Sequence, residues 1–423
     1  MDASLALRAT GLLRTANRAG VLHAADVHVA ARLGALAGET DERVLLAVAL
    51  CVRGVRQGSV ALDLSAVPAT AAPDDRDGPD DDGAAPVRVD WPDPAAWSAA
   101  VAASPLVDVD ADTGRPLRLE AGELWLDRWW RLEVAVAEEL RARAADPPDV
   151  DADRLRSALA RLWPGSEPDD QRRAAAVCVL QRVAVLGGGP GTGKTTTVAR
   201  LLAALSEVAD APLRVALAAP TGKAAARLTA SVRGAAAGDP VLSAGDREVL
   251  SGLTATTLHR LLGLRRGSGR SRYDAQDRLP HDVVVVDEAS MLSLSMVGHL
   301  LAALRPGARL VLVGDPDQLA SVEAGAVLAD LVAPARDGAR TPGLAARLAA
   351  ALPNDPPGPA AADGPAARVR DGVALLVRDR RFDGPIAALA RAVRAGDADA
   401  ALAVLRAGGP VRLSEVPDDA LVT

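Results

Sequence analysis

Residues Gly188 to Thr195 read GGPGTGKT, a complete G-x-x-x-x-G-K-T loop. The apolar run Val183-Ala184-Val185-Leu186 precedes it and helical sequence from Thr196 to Leu205 follows, the strand-loop-helix setting in which such a loop cradles phosphates. Along Gly188, Gly189, Pro190, Gly191, Thr192 and Gly193 the backbone N–H groups of the residues other than proline are expected to converge with the positive end of the helix on a bound triphosphate. Lys194 would then reach the β and γ phosphates. Thr195 would bind Mg²⁺ through its hydroxyl, a hard oxygen donor, with Thr196 beside it among the nucleotide contacts.

The segment HDVVVVDEASML places Asp287 and Glu288 at the carboxyl end of the most apolar strand in the chain, where ligands lie in open α/β sheets. Asp287 is expected to hold the metal, directly or through water, and Glu288 to orient and deprotonate the attacking water. Two acids ending a strand are a weak signal alone; about a hundred residues beyond a phosphate loop they are a strong one. A further strand ends in LVGDPDQLASVEAGAVLADL. Gln318 in that loop can bond the γ phosphate or the water and lose the bond after hydrolysis, although Gly314, Asp315 and Asp317 are also plain turn residues.

Three segments suit nucleic acid. AAPTGKAAARL ends a strand with Thr221, Gly222 and Lys223, small polar and basic groups able to grip a phosphodiester. ATTLHRLLG offers Thr256, Thr257 and His259 in the same style, His259 serving equally well as an ordinary helix-start residue. Arg265, Arg266, Arg270 and Arg272, interleaved with Gly and Ser, make either a mobile basic loop touching nucleic acid or a solvated hairpin tip.

The elements that must position these groups alternate helix and buried strand from Asp153 onward. Strands are expected at Val183 to Leu186, Arg214 to Ala219, Val283 to Val286, Arg309 to Val313 and Val373 to Val377. Apolar on both faces and separated by helices, they imply a parallel sheet covered on both sides, an α/β phosphate-loop NTPase fold. Residues 151–335 are read as this ATPase domain, 336–370 as a flexible Pro, Gly and Ala-rich insertion, and 1–150 as a small, mainly helical domain carrying an acidic loop near 68–86. Trp91, Trp97, Trp125, Trp129 and Trp130 crowd into that first domain and read as core or partner face rather than as a base-stacking platform. The break at Asp146-Pro147-Pro148-Asp149 marks the boundary.

Composition sets limits. The chain has 423 residues, 49% hydrophobic and 24% charged, with a net charge of -7, so it does not bind nucleic acid over its whole surface, although a local basic channel is compatible. Cys51 and Cys178, its only cysteines, are far apart and read as small buried residues. No apolar stretch approaches a membrane span and the start lacks signal-peptide features, so a cytoplasmic protein with no membrane partner is the expectation.

The run GGGPGTGKTTT, then APTGKAAARL, TLHRLLG, VVVDEASML and VGDPDQLASVEAG, closely resembles motifs I, Ia, Ib, II and III of the RecD family of superfamily 1 DNA helicases, the alpha subunit of exodeoxyribonuclease V. The match runs from about Gln171 to Asp330 and resumes at RDRRFDGPIAALARAVRAGD, which looks like motif IV with Asp379 where a Ser is usual. The resemblance implies that Arg381 contacts the γ phosphate and that Gln171 reads the adenine edge. It also implies a RecA-like ATPase domain, with ATP and Mg²⁺ as cofactors, and 5′ to 3′ movement on single-stranded DNA in a complex with RecB-like and RecC-like subunits, the nuclease centre belonging to RecB. The first domain looks more weakly like the family's RecC-docking domain. Motifs V and VI do not occur before Thr423, so 371–423 is read as the beginning of a second, incomplete RecA-like domain. A chain with one lobe is expected to bind ATP yet hydrolyse it poorly alone. A non-motor ATP-binding scaffold and a stand-alone or clamp-loader-like ATPase are the other readings, the latter opposed by the GDPDQL and TGKAAARL segments.

Overall fold

The computed structural model describes residues 5–73, 88–109, 112–165, 167–264, 271–318, 324–378, 384–411 and 413. Contacts divide the chain into two compact units, Met1–Glu138 with Leu292–Gly298 and Ala320–Val327, and Glu139–Met291 with His299–Leu319 and Leu328–Thr423.

In the first unit the helices Gly11–Arg18, Ala24–Ala37, Glu42–Arg56 and Pro94–Ala102 surround a common core. Asp41 starts the third of these by accepting a bond from Arg43 N, and Leu46, Ala47, Val48 and Ala49 are then completely buried. Trp97 is also fully buried, stacks on Trp91 at 6.4 Å and donates from Nε1 to Arg43 O at 2.7 Å. It is core, as its sequence setting implies. Strands β1 (Ala61–Asp63), β2 (Val107–Val109), β3 (Leu117–Glu120) and β4 (Glu123–Leu126) form a sheet in the order β1-β4-β3-β2. Ala121 and Gly122, both at positive φ, make the two-residue turn between β3 and β4. The region is mainly helical, as the sequence implies, with a small four-stranded sheet added to its helices. Of these strands Glu123–Leu126 reads as a short strand candidate in the sequence, whereas the other three, of three or four residues, are too short to show alternation. The helix Asp127–Ala145, which contains neither Pro nor Gly, ends at the expected Asp146-Pro147-Pro148-Asp149 break, and the contact division falls within it after Glu138.

The second unit holds β5 (Val183–Gly188), β6 (Val215–Ala219), β7 (Ala255–Thr257), β8 (Val283–Val286), β9 (Arg309–Gly314) and β10 (Val373–Leu376). All pair in parallel, in the order β10-β5-β9-β8-β6-β7. Val283 to Val286 are fully buried, which for successive residues means that both faces of the sheet are covered. On one face Val283, Val285, Val311 and Leu186 share a core with the helices Ala152–Leu162, Asp170–Leu180 and Lys194–Val208. On the other, Val185 and Val373 line a small cavity with Leu140, Ala144, Leu331 and Val369. Strand β7 is absent from the sequence reading; Ala-Thr-Thr at a sheet edge carries no apolar signature.

Two expectations for the later part of this unit are overturned. The span 336–370 is not a featureless insertion but holds the helices Pro342–Ala351 and Pro365–Asp371. Each has proline in its first turn, where the missing N–H costs nothing, so the same prolines that suggest flexibility begin helices. Thr341 caps the first and bonds Asp371 at the end of the second through its N–H and hydroxyl. Arg347 donates to Leu180 O and Pro148 O. Likewise Val373–Leu376 does not open a second sheet: β10 is the edge strand of the first, in register Val373↔Val185 to Leu376↔Gly188. Parallel pairing joins residues distant in sequence, so strand order cannot be read from succession.

The approach of β10 to β5 depends on Gly372, where a Cβ would stand 2.4 Å from Val183 O. Gly372→Ala is therefore expected to cost about 1–3 kcal/mol, as overpacking does. Gly234→Ala, on a helix with nothing near its added carbon, should instead stabilise by about 0.5–1 kcal/mol. Urea melts of the two variants against the parent chain check both signs.

Candidate nucleotide and nucleic-acid site

Every predicted site residue on a described strand end lies at the carboxyl edge of the six-stranded sheet. The register pairs Gly187 with Gly314 and Val286 with Leu312, so the loops after β5, β9 and β8 are neighbours. Residues a hundred or so positions apart in sequence are thereby brought side by side.

The loop after β5 turns through Gly191 and Gly193, both with φ of 85°, a conformation that favours glycine. Gly193 N-caps the helix Lys194–Val208, and the first-turn N–H groups of Lys194, Thr195 and Thr196 have no acceptor within the helix, an arrangement suited to an anion. Thr192 is buried and its Oγ1 donates to Gly189 O at 2.9 Å. Gln171, also buried, donates from Nε2 to Thr192 O at 3.0 Å and Gly193 O at 3.5 Å. Its amide braces the loop from within the protein, a role its sequence position did not suggest. Lys194 Nζ donates to Gly188 O at 2.5 Å and Gly189 O at 3.0 Å. Burial pushes the Lys194 ammonium below its ordinary pKa, while Asp315, Asp287 and Glu288 pull it back up. One ammonium and three carboxylates thus form a single electrostatic cluster.

Asp287 extends the pairing of β8, its N–H donating to Ala218 O at 2.9 Å. Burial raises its pKa, and the neighbouring Glu288 charge raises it further, against a lowering bond from Glu288 N to Asp287 Oδ1 at 2.9 Å. Glu288 has φ of 54°, a left-handed conformation costing a non-glycine residue about 1–2 kcal/mol. The turn carries its side chain out of the strand direction. Gln318 accepts at Oε1 from Ser290 Oγ at 3.0 Å, which ties the loop after β9 to the acidic segment. Ser290, three residues beyond Asp287, was missed in the sequence because a serine carries no signal until its partner is known.

On the other half of the edge, β6 and β7 bring Thr221, Lys223, Thr257 and His259 together, with Ala219 opposite Thr257. The Thr221 hydroxyl accepts from Ala224 N and that of Thr257 from Arg260 N, each at 3.2 Å, so both cap helices while keeping a hydrogen to donate. Thr221, Lys223 and His259 are exposed. Arg272 lies over the Tyr273 ring at 5.2 Å; Arg265, Arg266, Arg270 and Arg381 lie outside the described residues. The end of β10 is fixed by Asp170, whose Oδ2 accepts from Val377 N and Arg378 N, both at 3.1 Å. Sequence reasoning also passed over Asp170, although it adjoins Gln171. Among the described residues no cluster of three His, Cys, Asp or Glu could hold a metal, and no helix is long and apolar enough to cross a membrane.

Two family models match the chain: "RecBCD enzyme subunit RecD, N-terminal domain" over residues 18–125 and "AAA domain" over residues 171–324. The RecBCD enzyme subunit RecD of Mycobacterium tuberculosis is 48% identical over 416 residues, covering 96% of this chain and 62% of that protein. That of Mycolicibacterium smegmatis is 49% identical over 399 residues, covering 92% and 61%. The ATP-dependent RecD2 DNA helicase of Deinococcus radiodurans is 37% identical over 204 residues, covering 48% and 25%. The chain thus spans about three fifths of the length of its mycobacterial relatives. With a RecD amino-terminal domain, a nucleotide-binding domain on the parallel sheet and identity near one half along almost its whole length, the chain belongs to the RecD family.

Proposed function

We propose that this chain supplies the ATP-hydrolysing part of a 5′ to 3′ DNA helicase subunit in a RecBCD-type exodeoxyribonuclease V, acting in the cytoplasm on single-stranded DNA with RecB-like and RecC-like partners in break repair. The observation that carries it is the order of groups along one sheet edge: phosphate loop on β5, Gln318 after β9, Asp287 and Glu288 after β8, then hydroxyl and basic groups after β6 and β7. Chemistry on a triphosphate and contact with a phosphodiester adjoin one another there.

In this reading Lys194 exchanges the carbonyls of Gly188 and Gly189 for the β and γ phosphate oxygens. Thr195 and Asp287 offer hard oxygen donors suited to Mg²⁺, an ion that takes few protein ligands and completes its shell with water and phosphate. When bound, Mg²⁺ supplies charge neutralisation to the phosphates. The raised pKa of Asp287 fits a carboxylate built to face a cation. Glu288 takes a proton from the attacking water as the water oxygen bonds to the γ phosphorus. The bond from that phosphorus to the bridging oxygen breaks, and the electron pair leaves with ADP. Gln318, held by Ser290, would respond when the γ phosphate departs, and Arg381 would stabilise the phosphate charge, as the family resemblance implies. Gln171 holds the loop's shape, with adenine recognition a further duty of the same region. Residues 1–150, which include the RecD amino-terminal match over residues 18–125, would be the portion that docks partner subunits.

Lys194→Ala is expected to reduce ATP turnover, measured with single-stranded DNA, to background; parent-level turnover would remove the phosphate loop as the site. Glu288→Gln should retain binding of a fluorescent ATP analogue while losing at least about 100-fold in single-turnover hydrolysis, within the range for a general base. A normal single-turnover rate would take the base assignment away from Glu288. Asp287 gives a pH-dependent check on stability. Its folded-state pKa is raised, so the native protein binds more protons than the unfolded chain between the ordinary carboxylate value and the raised one, and stability falls as pH rises through that window. In metal-free buffer Asp287→Asn should accordingly raise the melting temperature at neutral pH, and the gain should vanish below the ordinary carboxylate range. A gain that persists in acid excludes ionisation of Asp287 as its source.

A further inference from the structure

Arg227 enters none of the roles assigned so far. It lies on the helix Gly222–Gly238, which starts at the end of β6 beside the end of β8. Arg227 follows Lys223 by four residues, so the two cations share a helix face next to the exposed Thr221 cap. Its side chain is 74% exposed, yet Nη1 stands 4.0 Å from Oε1 of Glu288, whose own side chain is 31% exposed. The guanidinium is also felt deeper in the site, lowering the pKa of both Lys194 and Asp287. One arginine therefore stands on the candidate DNA helix and touches the residue expected to act on water.

An exposed pair at this distance is weak. Arginine binds phosphate through two parallel charge-assisted bonds, a stronger arrangement than a single contact with a carboxylate at 4.0 Å. A phosphodiester lying along Lys223 would thus compete successfully for Arg227. Glu288 already occupies a left-handed backbone conformation, so its carboxylate direction is set by the turn together with what it pairs with.

We propose that Arg227 is a positioning residue coupling nucleic acid to hydrolysis. Without nucleic acid it draws the Glu288 carboxylate toward the helix Gly222–Gly238. A bound phosphodiester takes Arg227 and releases Glu288 to the water. The inference rests on the DNA-dependent ATPase reading, and its test separates the two. Affinity for a labelled oligo(dT) strand is measured by fluorescence anisotropy at low, fixed salt without nucleotide. The chain is compared with Glu288→Gln, Arg227→Gln, Arg227→Lys, the double variant Arg227→Gln/Glu288→Gln and the double variant Arg227→Lys/Glu288→Gln, each checked for a native melt.

Removing the Glu288 charge frees Arg227, so Glu288→Gln should tighten binding roughly two- to fivefold, the range for an exposed pair. In the Arg227→Gln background the same change should do nothing, and in the Arg227→Lys background part of the tightening should return. Equal tightening with and without Arg227 would mean that only a negative charge near DNA has been lost, and would overturn the coupling, as would no tightening in either background. If the parent chain shows no salt-sensitive binding of the strand, the DNA reading itself fails and the coupling with it.

Discussion

Gly188 has no room for a side chain: a Cβ there would stand 2.7 Å from Thr192 Oγ1 and 3.0 Å from Leu376 O. At Gly187 it would meet Leu375 Cδ2 at 2.6 Å. These two residues end β5 where β10 closes against it and where the phosphate loop begins. The bare backbone therefore does two things at once. It lets the edge strand dock beside the loop, and it leaves Gly188 O and Gly189 O turned to the Lys194 ammonium. The order of functional groups along the sheet edge follows from this close contact and from the parallel register of β5, β9 and β8.

The first turn of the helix Asp170–Leu180 carries that arrangement further. Asp169 caps it, Asp170 accepts from the backbone at the end of β10, and Gln171 holds Thr192 O in the loop. Arg172 and Arg173 pair with the buried Asp355 beyond the helix Pro342–Ala351. The four consecutive side chains from Asp170 to Arg173 thus link the loop, the edge strand and the segment that leads into it. Such a junction resists change in any one part, because each buried polar group would lose its partner if another moved.

Charge is arranged against stability at the same edge. Asp287 is buried enough to raise its pKa, Glu288 has an unfavourable backbone conformation beside it, and Lys194 is partly desolvated among three acids. None of this is the arrangement that would maximise folding free energy. Local strain and perturbed ionisation of this kind concentrate where a protein handles charged ligands. Arg227 on the neighbouring helix belongs to the same field and joins it to the basic half of the edge.

Local pattern was enough for the phosphate loop and for β4, β5, β6, β8 and β9, since an apolar run or a glycine-rich turn states its own conformation. The pairing of β10 with β5 was not legible, nor was the sheet of the first unit, because strand partnership depends on residues far apart in the chain. Prolines 342 and 365 read as disorder until their positions in the first turn of a helix were known. Gln171, Ser290 and Arg227 gained their roles only from neighbours supplied by other strands. The sequence by itself determined that a phosphate loop and a pair of acids are present, for those signals are carried in a few adjacent residues. The tertiary structure alone decided which strands stand next to which, and so which polar side chains meet. A hydrogen bond or ion pair depends on distance in space, which spacing along the chain does not contain.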